Sequence, residues 1–403
     1  LKLQFRRDAK LLLATSGLFA ISFYGLQNII KVLYILRLGH GPGYLGLFSS
    51  TSAFTFMGMS LPSGALGDRF GRGKIMIAGG AITIIGMALL PLTESVPIHL
   101  QSLWPIASQM ALTTGWSMFS VNLVPALMTV TTAENRSKAY ALNSALRGLG
   151  TFIGTLIGGT LPVFFAAVFG QSLNSTAPYR TALFTGVALG LAAMLPMFLI
   201  KYRERVDREQ RTAAGGKFPF LFIFLLVLHV YFSHSVWAIA RVFCTAYMDA
   251  DLKLTPLSIG LIIGAGQSVA VLAPFLIPLL TARRGNGWLL MATSVSMTVA
   301  LIPLAMIHHW AAAGFSIMGI LALSAVWLPV LQVYQMEMVE SRWRSLGYGA
   351  IAMALGLSFG SLCLIGGYVA TAGGYRSVFW LGIGLTIAGV LVLGALLRRE
   401  RVH

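Results

Sequence analysis

Apolar residues run along this chain in twelve long stretches separated by short polar turns, at 10–38, 43–65, 74–93, 101–131, 139–169, 180–200, 218–248, 256–281, 287–308, 312–336, 345–370 and 376–397. Each is long enough to cross a hydrocarbon core, which takes about 20 residues of helix. The pattern predicts an all-α membrane protein with twelve transmembrane helices and both termini on one side. One longer polar interruption stands in the middle, KYRERVDREQRTAAGGK at 201–217, with six basic and three acidic residues. It divides six spans from six, so the expected domains are an N-terminal six-helix bundle at 1–200, a linker at 201–217 and a C-terminal six-helix bundle at 218–403.

Composition excludes the alternative of a soluble chain. Of 403 residues, 57% are apolar and only 10% are charged, and the mean hydropathy is +0.80. A soluble domain carries about 25% charged residues. The net charge of +17 would suggest a nucleic-acid partner in a soluble protein, but in a membrane protein basic residues first report orientation. Twenty-two Lys and Arg residues fall in the tails and loops on the side of the termini, against four on the other side, namely Arg37, Arg180, Lys253 and Arg376. The bias predicts cytoplasmic termini and linker in a multi-pass protein of a bacterial-type plasma (inner) membrane, bound by the lipid bilayer and with no nucleic-acid partner. The first apolar run is too long for the core of a cleaved leader and is expected to be retained.

The two halves repeat. At an offset of 214, Gly46 corresponds to Gly260, Gly64 to Pro278, Arg69 to Arg283 and Gly71 to Gly285. Later matches follow in the same order: Pro125 with Glu134-Asn135-Arg136 and Pro329 with Glu340-Ser341-Arg342, then Gly158-Gly159 and Gly366-Gly367, then Tyr179-Arg180 and Tyr375-Arg376. Two pseudo-symmetric six-helix bundles are therefore expected, and parallel repeats of this kind place a substrate site near the membrane midplane.

Catalytic chemistry finds no foothold in the sequence. No P-loop, no Ser/His/Asp set and no paired carboxylates stand at a plausible spacing, so the expectation is a protein that is not an enzyme and takes no cofactor or metal. Cys244 and Cys363 lie in apolar spans, and His308-His309 reads as an interfacial turn.

After span 2 the chain reads Gly64-Ala-Leu-Gly-Asp68-Arg69-Phe-Gly71-Arg72-Gly-Lys74. This G-x-x-x-D-R-x-G-R loop in a twelve-span chain resembles the major facilitator superfamily, with one departure: Gly73 displaces the usual following basic residue to Lys74. Gly64 is expected to let two helices approach closely, and Asp68 to meet a helix N-terminus. The resemblance implies a helix of the other half, in span 11, and hence a gating motif of Gly64, Asp68, Arg69, Gly71 and Arg72. Span 5 carries Gly150, Gly154, Gly158 and Gly159, similar to the superfamily's span-5 glycine motif of exporters and antiporters, except that Thr155 stands where Pro is usual. Helix packing alone also accounts for it. The span-4 Arg of many proton-coupled relatives is absent, since Ala111 precedes Gly115.

Three basic residues fall inside spans, where charge is expensive and signals function. Lys31 is expected on one face of span 1 with Tyr24, Gln27 and Tyr34; Arg241 in span 7 with His234 and Thr245; Arg147 in span 5 with Asn143, Thr151 and Gly154. The family's cavity is lined by spans 1, 4, 7 and 10 with parts of 2, 5, 8 and 11, and its organophosphate antiporters place a basic residue in spans 1 and 7. The expected substrate-binding residues are thus Lys31, Gln27, Arg147, Asn143, Arg241 and His234. Snorkelling of Lys31 and Arg241 to headgroups is the alternative, and for Arg147 the alternative is a structural bond to carbonyls or to Glu337. Glu337 is a candidate coupling residue or an ion-pair partner of Arg342 or Arg344. Trp104, Trp116, Trp237, Trp327 and Trp343 divide between interface anchors and cavity walls. The function these residues imply is a monomeric secondary transporter, antiporter or uniporter, working by alternating access on a small-molecule substrate, with a co- or counter-transported ion left open. A small organic or phosphate-like anion leads; export of amphipathic, drug-like compounds is the alternative, and a non-transporting membrane sensor a remote third.

Overall fold

The computed structural model describes residues 5–131, 133–200, 219–340 and 343–400. The linker at 201–217 and Arg342 lie outside the described residues, as do the side chains of Glu134, Arg136, Pro278, Arg283 and Arg344. Among the described residues there is no strand. Twelve long helical rods succeed one another among these residues: α1 Arg7–Arg37, α3 Arg72–Ser95, α6 Ala177–Phe198, α7 Phe220–Ala250, α8 Pro256–Ala282, α9 Arg284–Met306 and α10 Trp310–Met338, with α2 Pro42–Phe70, α4 Trp104–Val130, α5 Ala133–Phe169, α11 Arg344–Gly373 and α12 Tyr375–Glu400. They coincide with the twelve expected spans. Ten are long and apolar enough to cross a membrane by length and composition; α2 and α4 are as long, and their Ser, Thr and Gly residues lower the mean hydropathy.

Two compact units result. The first holds α1, α2 from Thr51 onward, α3 to α6, and Thr255–Gly264 at the start of α8; the second holds Gly41–Ser50 at the start of α2, α7, α8 from Ala265, and α9 to α12. The two exchanged segments are related by the same offset of 214 that relates the sequence matches.

Glycine explains the exchange. A Cβ at Gly46 would collide with the Cys363 carbonyl oxygen and lie 2.8 Å from Gly367 Cα, and one at Gly260 would lie 2.9 Å from Gly159 Cα. The backbones touch, so the start of α2 is held on α11 and the start of α8 on α5 by pseudo-equivalent glycine pairs. Small residues permit such approach where lipid offers no hydrophobic drive between helices. The turns at the far ends of these two helices also repeat: Gly71 (φ 100) ends α2 and Gly285 (φ 78) separates α8 from α9, a backbone region that side chains strongly disfavour.

The first helix of each half is distorted in its middle. Ala20–Gln27 in α1 and Ile239–Phe243 in α7 are π-helical, and α7 is further interrupted by a turn at His234 and Ser235. Such segments are rare and concentrate at functional sites.

Gly154→Val would drive side-chain atoms into the Ile21 carbonyl, with which even a Cβ would collide, and is expected to destabilise by about 1–3 kcal/mol or more. Gly58, with nothing within 4 Å, is the control site: Gly58→Val should melt near the unsubstituted protein. Equal melting temperatures for both variants in detergent would contradict the packing described.

Candidate substrate-binding site and gating motif

In the first unit, α5 lies against the π-helical part of α1 through three of its four striped glycines. A Cβ at Gly150 would meet the Gly17 carbonyl at 2.6 Å, one at Gly154 the Ile21 carbonyl, and one at Gly158 the Leu26 backbone at 3.1 Å. Gly159 instead faces Gly260. The stripe is therefore a two-sided packing surface. One turn before Gly150, Arg147 is carried so near α1 that its guanidinium lies 5.0 Å from the Tyr24 ring centroid. Tyr24 is close to the centre of the 31-residue α1, so the guanidinium lies level with the middle of that helix, while Arg147 itself is exposed and the sixth residue of the apolar span Leu142–Phe169. Among the described residues it has no carboxylate or carbonyl partner. Asn143, one turn earlier on the same face, has a buried Oδ1 without a hydrogen-bond partner.

Behind Tyr24 stands an aromatic cluster. Trp116 of α4 stacks on Phe23 with centroids 4.3 Å apart and meets Tyr24 edge-on at 5.1 Å, while Phe19 and Phe119 close its other sides. Trp116 is buried; Phe23 and Tyr24 remain partly exposed. Trp116 is thus packed inside the first unit, among these rings, rather than exposed as an interface anchor would be.

The expected single face of Tyr24, Gln27, Lys31 and Tyr34 is corrected. That face assumes α-helical spacing, but i to i+5 bonding over Ala20–Gln27 winds more residues into each turn and rotates the rest of the helix. Gln27 is turned toward α6, 1% exposed, with its Nε2 donating to the Leu183 carbonyl at 3.4 Å. Its Oε1 has no partner. Tyr34 is fully buried and its hydroxyl reaches Glu94 at 3.4 Å. Lys31 is half-buried between them.

In the second unit, Arg241 and His234 meet on one ring. The Arg241 guanidinium lies 4.5 Å from the Trp237 centroid; His234 stacks on Trp237 at 6.0 Å and on Trp327 of α10 at 6.4 Å, both at 26°. A column of Trp327, His234, Trp237 and Arg241 results, built on the turn and π-segment of α7. Thr245, expected on the same face, is buried and donates to the Arg241 carbonyl. Glu337 at the end of α10 accepts two hydrogen bonds from Asn286 Nδ2, at 2.8 and 2.9 Å. Its described partner is an amide at the start of α9; the side chains of Arg342 and Arg344, expected as ion-pair partners, lie outside the described residues.

The residues expected to form a gating motif occupy the end of α2 and the α2–α3 turn. Asp68 pairs with Arg72 across Gly71 at 3.1 Å, and the Asp68 side chain is 70% exposed; Arg69 lies over Phe70. The tight approach expected at Gly64 falls one turn later. Gly64 would meet only Val121 at 3.7 Å, whereas a Cβ at Gly67 would collide with the Asn122 side chain of α4. Asn122 Nδ2 donates to the Ser63 and Met118 carbonyls at 3.0 and 2.9 Å, clamping the end of α2 to α4.

Several contributors escape sequence reasoning. The helical face includes Tyr24, but nothing in the sequence marks it as the platform for Arg147. Asp249 is 6% exposed in the last turn of α7, and its place at a predicted span end hides it. Asn122 and Asn286 are neutral and carry no charge signal. At the far ends of the spans the repeat offset could have found a further pair: Glu94, bonded to Tyr34, Thr176 and Arg180, corresponds to His308, bonded to Tyr247. His309 caps α10 by accepting from Ala311 N–H.

Among the described residues, twelve long helices in two compact units, with an internal sequence repeat relating the halves, define a polytopic helical membrane protein. A family model described as Major Facilitator Superfamily matches residues 12–248. The chain belongs to the major facilitator superfamily. It is 23% identical over 361 residues to the multidrug resistance protein MdtH of Yersinia pestis (strain Pestoides F), covering 87% of this chain and 84% of that protein. An MFS-type transporter of Mycobacterium tuberculosis (strain ATCC 25618 / H37Rv) is 28% identical over 155 residues, 38% of this chain. That match spans 35% of the relative's length. Among solved structures, a mutant of the nucleoside transporter NupG superposes with a TM-score of 0.74 at 13% identity, over 96% of this chain and all of that one. The xylose transporter XylE from E. coli, inward open, gives 0.74 at 14% identity over 96% of both chains. At these identities the likeness concerns the fold.

Asn122→Ala removes the side-chain hydrogen bond to the Ser63 carbonyl and leaves a cavity beside Gly67, and is expected to destabilise by about 1–3 kcal/mol. An unchanged thermal midpoint would show that the end of α2 is held by other means.

Proposed function

We propose that this chain is a secondary transporter that moves a small organic anion by alternating access, without nucleotide hydrolysis. The observation that carries the reading is Arg147: an always-charged guanidinium level with the middle of α1, resting on Tyr24 and without a carboxylate partner among the described residues. Unpaired cations within membrane spans face water; Arg147 is exposed, and its charge is therefore open to a transported anion. Arg241 on Trp237 supports the same reading in the second unit. The 22-to-4 distribution of basic residues between the two sides supports cytoplasmic termini and placement in a bacterial-type inner membrane. Asp68, Arg69 and Arg72 in the α2–α3 turn act as the gate of the cycle, and Glu337 is the carboxylate available for ion coupling.

Export of drug-like amphipathic compounds is the second reading. It is supported by the name of the MdtH relative and by the aromatic cluster around Trp116. Charge removal separates the two. In proteoliposomes, Arg147→Gln and Arg241→Gln should each lower the flux of a transported anion by about tenfold or more, the loss expected from removing one charge-assisted contact. Undiminished flux in both variants, or efflux of cationic dyes that survives both, favours the exporter. Asp68→Ala should slow flux of the same anion without changing its affinity; an unaltered rate contradicts the gating role.

A further inference from the structure

We propose that the first unit contains a subsite for a monocyclic aromatic carboxylate bearing a ring hydroxyl or amine. The proposal rests on the anion reading above and narrows its substrate class. Three features converge on it. The Arg147 guanidinium carbon lies 5.0 Å from the Tyr24 ring centroid in an exposed side chain, and a guanidinium carries a planar fork of N–H donors suited to a bidentate carboxylate. A compact inorganic anion would satisfy that fork and use nothing else. Beside it, however, Phe23 and Tyr24 stand perpendicular to each other at 5.1 Å and 82°, partly exposed and backed by buried Trp116. This fixed edge-and-face corner suits a planar ring. Third, Asn143 presents a buried amide oxygen with no partner, four residues before Arg147 and so its neighbour on the helix surface. A buried acceptor of this kind calls for a donor, which a ring hydroxyl or amine supplies while the carboxylate engages Arg147.

The test uses the full-length protein in nanodiscs and measures equilibrium binding of 4-hydroxybenzoate, benzoate, cyclohexanecarboxylate, inorganic phosphate and phenol. The expected order is 4-hydroxybenzoate first, benzoate about three- to tenfold weaker, cyclohexanecarboxylate weaker again by a similar factor, and phosphate and phenol not measurable. Those factors correspond to one hydrogen bond and one aromatic contact. Phe23→Leu should erase the preference for benzoate over cyclohexanecarboxylate while retaining binding of both, Asn143→Leu should erase the advantage of the hydroxyl, and Arg147→Gln should weaken all carboxylates by about tenfold or more. If cyclohexanecarboxylate or phosphate binds as well as 4-hydroxybenzoate and loses affinity in Arg147→Gln, the aromatic subsite is overturned while the anion reading stands. If none of the four anions binds, or all bind independently of Arg147, both fall. Should Arg147→Gln fail to fold, the ligand order on the unsubstituted protein and on Phe23→Leu decides.

Discussion

Backbone-to-backbone approach of α5 to α1 is the contact on which the site depends. Gly150, Gly154 and Gly158 present no side chain to Gly17, Ile21 and Leu26, so the two helices come closer than any larger residues would allow. That proximity lets a side chain rooted in the apolar part of α5 place its charge on a ring at the middle of α1. The π-helical stretch of α1 faces the same contact and turns Tyr24 toward Arg147 while sending Gln27 to α6. Packing and chemistry are thus one feature: the glycines that look generic in sequence set where the cation stands.

The internal repeat uses the same device more than once and then diverges in chemistry. Glycine contacts recur at Gly46 with Gly367 and at Gly260 with Gly159, and positive-φ glycines recur at 71 and 285. Around this constant frame the polar residues differ. Asp68 and Arg72 of the first half correspond to Ala282 and Asn286 of the second, and Asn286 turns to Glu337 instead. Glu94 corresponds to His308, each bonded to a tyrosine of the first helix of its half. Steric constraints tolerate no replacement, whereas a hydrogen bond can be rebuilt with other groups, so the frame persists where the side chains change.

The same distinction governs how much of the molecule is legible in its sequence. The twelve helices follow from hydropathy alone, and the repeat is visible at its glycines because those positions are fixed by backbone geometry. The faces of α1 and α7 are not, because an α-helical wheel cannot anticipate i to i+5 bonding or the turn at His234. Gly64 and Gly67 both fit a close-packing spacing, and only Asn122 on the neighbouring helix distinguishes them. Arg147 stands out as a charge in an apolar run; Tyr24 does not emerge as its platform because the pairing spans two helices distant in sequence.

The role proposed for Arg147 is to bind an anion from a position set by Tyr24. A double-mutant cycle on anion affinity, with Arg147→Lys, Tyr24→Leu and the combined variant in the full-length protein, measures that coupling directly. An interaction energy of about 1–2 kcal/mol is expected, within the range seen for residues in contact, with the double variant little worse than Arg147→Lys alone. Strict additivity of the two substitutions would contradict it.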